Sequence, residues 1–100
     1  MIEDENAVTG KGSVLVHKFF ADKVFLVLRP PKGATAKVKV LLDGKVVEND
    51  QAGKDVENGV VTVGSDRLYN LIDLKNKPGK HILKLEFQTP GTETFAFTFG

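Results

Sequence analysis

A length of 100 residues fits one domain, and a hydrophobic content of 41% is too high for intrinsic disorder. A net charge of +1 is too weak to attract nucleic acid or an anionic membrane, and no apolar run approaches the roughly 20 residues of a membrane span. Because the chain has no cysteine, it can form no disulfide, thiolate zinc site or redox dithiol of its own.

The chain is predicted to divide into a short leading segment and one folded domain. Residues 1–10 are expected to be a linker remnant or a partial strand, and residues 11–100 a single β-sandwich domain. The leading segment is acidic and polar, which is unlike a secretory signal peptide, and it lacks the alternation of a strand.

The first two predicted strands of the domain are strongly apolar. The strand at 13–20 has two candidate inward faces, which are Leu15 with Phe19, and Val14 with Val16 and Phe20. The strand at 24–28 is apolar at every position, which is typical of a central strand covered on both faces.

Short turn signals separate the later strands. The Asp-Gly pair at 43–44 and the Asn-Gly pair at 58–59 favour type I′ hairpin turns, because both central residues must take a positive φ. The Pro-Gly pairs at 78–79 and 90–91 suit type II turns, in which the glycine takes the positive φ.

Three later strands alternate between apolar and other residues, so each has a predicted inward set. These sets are Val38, Val40 and Leu42; Leu83, Leu85 and Phe87; and Phe95, Phe97 and Phe99. The segment at 67–74 is also predicted to be a strand, with one helical turn as the alternative. Its two faces are Leu68, Ile72 and Leu74 on one side, and Tyr69 and Leu71 on the other.

About seven short strands joined by hairpin turns predict an all-β fold, an antiparallel β-sandwich of jelly-roll or immunoglobulin-like type. We prefer the jelly roll, because an immunoglobulin domain usually has a buried tryptophan and a cysteine pair. This chain contains neither residue type.

No catalytic, metal or cofactor site is predicted. His17 and His81 lie in predicted strands without a nucleophile motif or metal-ligand spacing around them, and the turn aspartates do not follow a calcium-loop pattern. Tyr69 is the one ring expected to keep an exposed edge, so it is the candidate ligand-binding residue. In the alternative interpretation, its hydroxyl caps a backbone group of a loop.

Seven segments carry a resemblance to a known family, and they run in order through nearly the whole chain. They are VFLVL at 24–28, LLDGK at 41–45, AGKDV at 52–56, GVVTV at 59–63, RLYNL at 67–71, KHILKLEF at 80–87 and PGTETFAFTFG at 90–100. Together they resemble the C-terminal domain that follows the thioredoxin-like domain in DipZ-type thiol-disulfide proteins. The combination of RLYNL with a terminal FAFTFG is its most specific part.

The resemblance implies a sandwich similar to carbohydrate-binding modules, in a non-catalytic accessory domain located outside the cytoplasm. The implied partner is the preceding thioredoxin-like domain, which would hold the redox cysteines. A glycan or a peptide is a further implied target. The glycan is suggested only by the similarity of the fold to carbohydrate-binding modules. In this family another strand usually precedes the segment at 13–20, so one sheet edge of this chain could stay unpaired or be filled by a neighbouring molecule.

A second interpretation needs no ligand. The domain would then be a structural element that docks on the thioredoxin-like domain or forms a dimer. We expect such a domain to show a large apolar patch on one sheet face, around Phe20, Ile72 or Ile82.

Overall fold

The computed structural model describes residues 2–8 and 12–100, and the regular structure within them is entirely β. Its strands are β1 (Ile2–Val8), β2 (Val14–Ala21), β3 (Lys23–Arg29), β4 (Ala36–Leu42), β5 (Lys45–Val46), β6 (Val56–Glu57), β7 (Val60–Val63), β8 (Arg67–Asp73), β9 (Gly79–Phe87) and β10 (Glu93–Phe99). The segment at 67–74, for which a helical turn was the alternative, therefore forms a strand.

Two antiparallel sheets pack against each other. One sheet has the strand order β1-β10-β3-β8, and the other has the order β2-β9-β4-β7-β6, with β5 paired to the end of β4. Residues 2–8, predicted to be a linker remnant or a partial strand, form β1 on the outer side of β10. The predicted fold class, an all-β antiparallel sandwich, is confirmed.

The core lies between the sheets and is formed mainly by one side of the longer strands from β2 onward. The predicted inward sets of β4 and β9 are confirmed, since Val38, Val40, Leu83 and Leu85 are all fully buried. In β2 the ambiguity is resolved in favour of the odd-numbered residues: Phe19 is buried, whereas the even-numbered positions are exposed.

A β-bulge corrects the predicted inward face of β10. The register shifts between Thr94, which pairs with Leu28, and Phe97, which pairs with Leu26. Because the extra residue reverses the alternation of side chains, Thr94 and Phe97 are buried together, and Phe95 is only half-buried. The three phenylalanines of β10 therefore do not share one buried face.

A second irregularity corrects the prediction for β8. The β3–β8 register shifts between Val24 and Phe25, and the adjacent residues Leu71 and Ile72 are both fully buried. Leu68 was grouped with Ile72 on one face, and this grouping is wrong because the Leu68 side chain is 45% exposed.

β3 is one of the two central strands of the four-stranded sheet, but only one of its faces is fully buried. Val24, Leu26 and Leu28 lie in the core, whereas Phe25 and Val27 on the other face are half-buried. The prediction of two covered faces is wrong, because the second sheet packs on one side of this strand only.

The two predicted type I′ turns are confirmed. Asp43 and Gly44 have φ values of 53° and 85°, and Asn58 and Gly59 have φ values of 52° and 78°. Both residues of each pair are thus in the left-handed region that this turn requires.

The turn between β8 and β9 differs from the prediction. Its positive φ values belong to Lys75 (59°) and Asn76 (66°), not to the glycine of the Pro-Gly pair at 78–79. Asp22 stabilises this turn, because its Oδ1 accepts hydrogen bonds from the backbone N–H groups of Asn76 (2.8 Å) and Lys77 (3.2 Å).

Leu85 tests the assignment of the core. We expect Leu85→Ala to lower the free energy of unfolding by about 2–5 kcal/mol, because it leaves a cavity at a fully buried position. Lys84→Ala on the opposite face of β9 is the control, with an expected change within about 0.5 kcal/mol. Urea denaturation measures both, and equal losses would contradict the assigned inward face.

Candidate functional site

The outer side of β2 and β9 carries four of the six exposed large apolar side chains in the described part of the chain. The exposed fractions are 50% for Val14, 59% for Val16, 66% for Phe20 and 42% for Ile82. These four residues lie on one sheet face, because every second residue of β2 points outward and Ile82 pairs with Lys18 between them. We call this surface the β2–β9 face.

Lysines lie among the apolar residues of the β2–β9 face. Lys18 lies between Val16 and Phe20 on β2, Lys80 pairs with Phe20 in the ladder, and Lys84 pairs with Val16. The Lys84 ammonium lies 3.5 Å from a carboxylate oxygen of Glu86. Among residues 12–100, no carboxylate forms an ion pair with Lys18 or Lys80. The surface therefore combines exposed apolar side chains with positive charge.

A shallow depression of about 600 Å³ adjoins Phe20 and Ile82, and a histidine–aspartate pair forms part of its wall. His81 Nδ1 lies 2.5 Å from Asp43 Oδ2, and Asp43 Oδ1 accepts a hydrogen bond of 2.9 Å from the backbone N–H of Ile82. The hydrogen bond with His81, followed by that with Ile82, holds the pKa of Asp43 below its usual value. This pair fastens the β4–β5 turn to β9.

The other histidine lies inside the sandwich. The ring of His17 stacks on Phe97 and Phe99 of the opposite sheet, with centroid separations of 5.1 and 5.4 Å. Within the described residues, no group of three or more histidine, aspartate or glutamate side chains is placed to hold a metal ion.

Tyr69 does not present the exposed edge that was expected of it. Its side chain is 1% exposed, and its hydroxyl donates a hydrogen bond to Ser65 O (2.7 Å). The same hydroxyl accepts hydrogen bonds from the backbone N–H groups of Gly64 (3.2 Å) and Ser65 (3.3 Å). Tyr69 can therefore influence a ligand only through the loop that its hydroxyl holds.

That loop forms one wall of a second concave surface, at the end of the sandwich. The pocket has a volume of about 730 Å³ and includes Arg29, Asp66 and Glu93 in its lining. Arg29 Nε donates to Asp66 Oδ2 at 2.7 Å, and Arg29 Nη1 lies 3.5 Å from Glu93 Oε2. The hydrogen bond with Asp66 is the main reason that the pKa of Arg29 is raised. We call this region the loop pocket.

An ion pair braces the outer side of β8. Asp55 Oδ1 accepts a 2.8 Å hydrogen bond from Arg67, and Asp55 Oδ2 accepts a 2.7 Å bond from the backbone N–H of Asn70. Partial burial raises the pKa of Asp55, but the bonds from Arg67 and Asn70 outweigh burial, and the pKa stands below its usual value. Neighbouring Gly53 must lack a side chain, because a Cβ there would overlap Asn70.

Comparison with known proteins identifies the family of this chain. A family model described as "Thioredoxin like C-terminal domain" matches residues 1–100, and the chain belongs to that family. The family name places the domain beside a thioredoxin-like domain, as an accessory rather than a catalytic part. No curated protein matches the chain.

A solved structure with a similar fold is an active-site mutant of a family two carbohydrate esterase from Clostridium thermocellum in complex with celluohexase. The TM-score is 0.70 at 16% sequence identity, and the match covers 97% of this chain. The matched region is 27% of the length of the esterase chain, so the likeness concerns a part of that protein and shows the fold alone.

The loop pocket was not predicted from the sequence. It gathers Arg29, Asp66 and Glu93 from three separate segments, and no spacing motif indicates it. The β2–β9 face was predicted in part, since Phe20 and Ile82 are exposed as expected. Ile72 is fully buried, so its predicted place in an exposed patch is wrong.

The described residues contain no helix that is long and apolar enough to cross a membrane.

The lowered pKa of Asp55 makes its contribution to stability depend on pH. We expect Asp55→Asn to reduce the free energy of unfolding at pH 7 by about 1–3 kcal/mol, because two hydrogen bonds lose a charged acceptor. This difference is fully present above about pH 4, where an unfolded aspartate ionises. It shrinks as the pH falls from there through the lower folded-state pKa, because the unfolded aspartate takes up a proton before the native one does.

Urea denaturation at a series of pH values measures this difference. Asp50→Asn, at an exposed loop position, is the matched control and should change stability little at any pH. A deficit for Asp55→Asn that stays constant down to pH 2–3, on the order of two units below the unfolded pKa, would contradict the electrostatic explanation.

Proposed function

We propose that this chain is a non-catalytic accessory domain that docks on the thioredoxin-like domain of the same protein through the β2–β9 face. The observation that carries the proposal is the exposure of Phe20 and Ile82, with Val14 and Val16, on one continuous sheet surface. Monomeric domains rarely leave such a cluster in water, because covering it with a partner is favourable.

The positive charge on this face suggests the character of the docking partner. Lys18 and Lys80 flank the Phe20 ring and form no ion pair among residues 12–100. A partner surface that combines apolar side chains with carboxylates near these two lysines would complement both features. The proposal therefore assigns such a surface to the thioredoxin-like domain.

We also propose that the protein acts outside the cytoplasm. The support for this location is the resemblance to DipZ-type thiol-disulfide proteins. In that setting a fixed accessory domain would restrict how substrates approach the redox cysteines of its neighbour.

Docking is tested in a protein that carries both domains. We expect Phe20→Ser combined with Ile82→Ser to separate the domains, because it replaces the two apolar residues beside the lysines with polar ones. NMR relaxation of backbone amides measures whether the domains tumble together. Leu68→Ser is the control, since Leu68 is similarly exposed but lies on the other sheet.

Three outcomes are informative. Joint tumbling in the native protein and in Leu68→Ser, with independent tumbling in the double variant, supports docking through the β2–β9 face. Unchanged tumbling in the double variant contradicts it. Separation in the control as well would show that the loss is not specific to this face.

Carbohydrate binding at the loop pocket is a second candidate function. Its specific support is the convergence of a guanidinium group and two carboxylates in one concave site, since such groups can hydrogen-bond to sugar hydroxyls in pairs. The fold shared with part of a carbohydrate esterase is an associational argument in the same direction.

This candidate predicts that Arg29→Gln weakens the binding of soluble cello-oligosaccharides by about tenfold or more, because a charged hydrogen-bond donor is lost. Tyr69→Phe should weaken binding less, since it only frees the loop at 64–65. Lys45→Gln, on the exposed β5, is the control. Isothermal titration calorimetry measures all three, and equal affinities for native protein and Arg29→Gln would contradict a sugar site here.

A further inference from the structure

Within the described residues, no strand pairs with the outer edge of β2, which is therefore available to another strand. β2 is the terminal strand of its sheet, with β9 as its only strand partner among residues 2–8 and 12–100. All eight of its residues pair with β9 in register, from Val14 with Glu86 to Ala21 with Gly79, without a bulge. Alternate backbone N–H and C=O groups of such a strand point away from its neighbour.

This edge lacks the usual features that prevent pairing. β2 contains no proline and one charged residue, Lys18, whereas natural edge strands are commonly interrupted by proline, bulges or several charges. The opposite end of the same sheet is β6, which has only two residues. In the other sheet, the outer side of β8 is covered where Ala52 bridges to Ile72.

We propose that a second copy of this chain pairs with the free edge of β2, antiparallel and centred on His17. This register pairs residues 14–20 of the strand with themselves, so that two six-stranded sheets join into one. The pairing follows from the sequence VLVHKFF at 14–20, which is self-complementary about His17.

On the outer face, the register puts Val14 beside Phe20 of the second copy and Val16 beside Lys18 of the second copy. An aromatic ring beside a β-branched side chain is a favourable cross-strand pair. The Val16–Lys18 contact places the lysine stem against apolar surface while its ammonium stays in water. If the centre of the pairing moved by one residue, from His17 to Lys18, the two copies of Lys18 would face each other. This register is unfavourable because like charges repel.

On the inner face, the same register sets Leu15 beside Phe19 of the second copy. Leu15 and His17 are half-buried at the edge of the sandwich, so the added strand would cover their remaining exposure. Apolar side chains thus meet on both faces of the new strand pair.

The proposed dimer goes beyond the proposed docking function, because it uses the edge of the sheet rather than its face. Pairing in the plane of the sheet leaves the outer surface of β9, including Ile82, accessible. It also brings the two β2–β9 faces next to each other as one longer apolar surface. Either proposal can therefore fail while the other holds.

The absence of native cysteine permits a direct test of the register. We expect a mixture of Val14→Cys and Phe20→Cys chains to form a disulfide dimer at least about tenfold faster than either variant alone, because paired strand residues lie within disulfide reach. Two copies of Val14 would lie six residues apart along the strand, roughly 20 Å, which is too far to bridge. Non-reducing electrophoresis under mild oxidation measures the rates.

The matched control is a mixture of Val14→Cys with Leu68→Cys. Leu68 is exposed to a similar extent but lies in the other sheet, so this mixture should cross-link no faster than the single variants. Because all three positions are exposed, each variant should fold, and thermal melts verify this. A Val14–Phe20 mixture that cross-links no faster than the control would overturn the proposal.

A charge introduced at residue 16 tests the register a second time, in chains that also carry Val14→Cys or Phe20→Cys. Val16→Glu would face Lys18 of the second copy and should keep or raise the rate, whereas Val16→Lys would oppose like charges and lower it several-fold. Both changes remove the same apolar side chain. A higher cross-linking rate for Val16→Lys than for Val16→Glu would overturn the dimer. That order is expected if an acidic partner alone occupied this surface.

Discussion

Each of the two sheets buries one face against the other sheet. The side chains of a regular strand are therefore divided between the core and the solvent face. The division follows from the two-residue period of a strand, and β2 shows its consequence most clearly. Its odd-numbered residues, such as Phe19, enter the core, so its even-numbered ones must face outward although three of the four are apolar. A strand that is apolar on both faces in a two-layer domain leaves one face in need of cover. The proposed docking on the thioredoxin-like domain follows from this requirement.

Several polar side chains outside the core fasten loops to strands. Asp22 holds the β8–β9 turn, Asp43 with His81 holds the β4–β5 turn, and Asp55 holds the outer side of β8. Tyr69 does the same for the loop at 64–65 from inside the core. The titratable groups that sequence inspection singles out are therefore committed to structure. This arrangement agrees with an accessory role beside a domain that carries the chemistry.

Strand periodicity and turn chemistry were enough to predict the sandwich, the type I′ turns and the inward faces of β4 and β9. They failed where the backbone departs from regular alternation. The bulge in β10 puts Thr94 in the core in place of Phe95, and the shift beside β8 buries both Leu71 and Ile72. Such irregularities depend on pairing with a distant strand, so no local pattern reveals them. The loop pocket has the same origin, because Arg29, Asp66 and Glu93 meet only after both sheets have formed.

The position of β10 also affects how the domain can form. β10 lies between β1 and β3, so the four-stranded sheet joins strands from opposite ends of the chain. Until residues 93–99 have left the ribosome, β1 has no neighbour in that sheet and one edge of β3 stays unpaired. Assembly must therefore wait for synthesis of this strand, and pairings over such long sequence separations form slowly, on the order of milliseconds to seconds. During that interval, the nascent chain exposes unpaired strand edges, which are prone to aggregation.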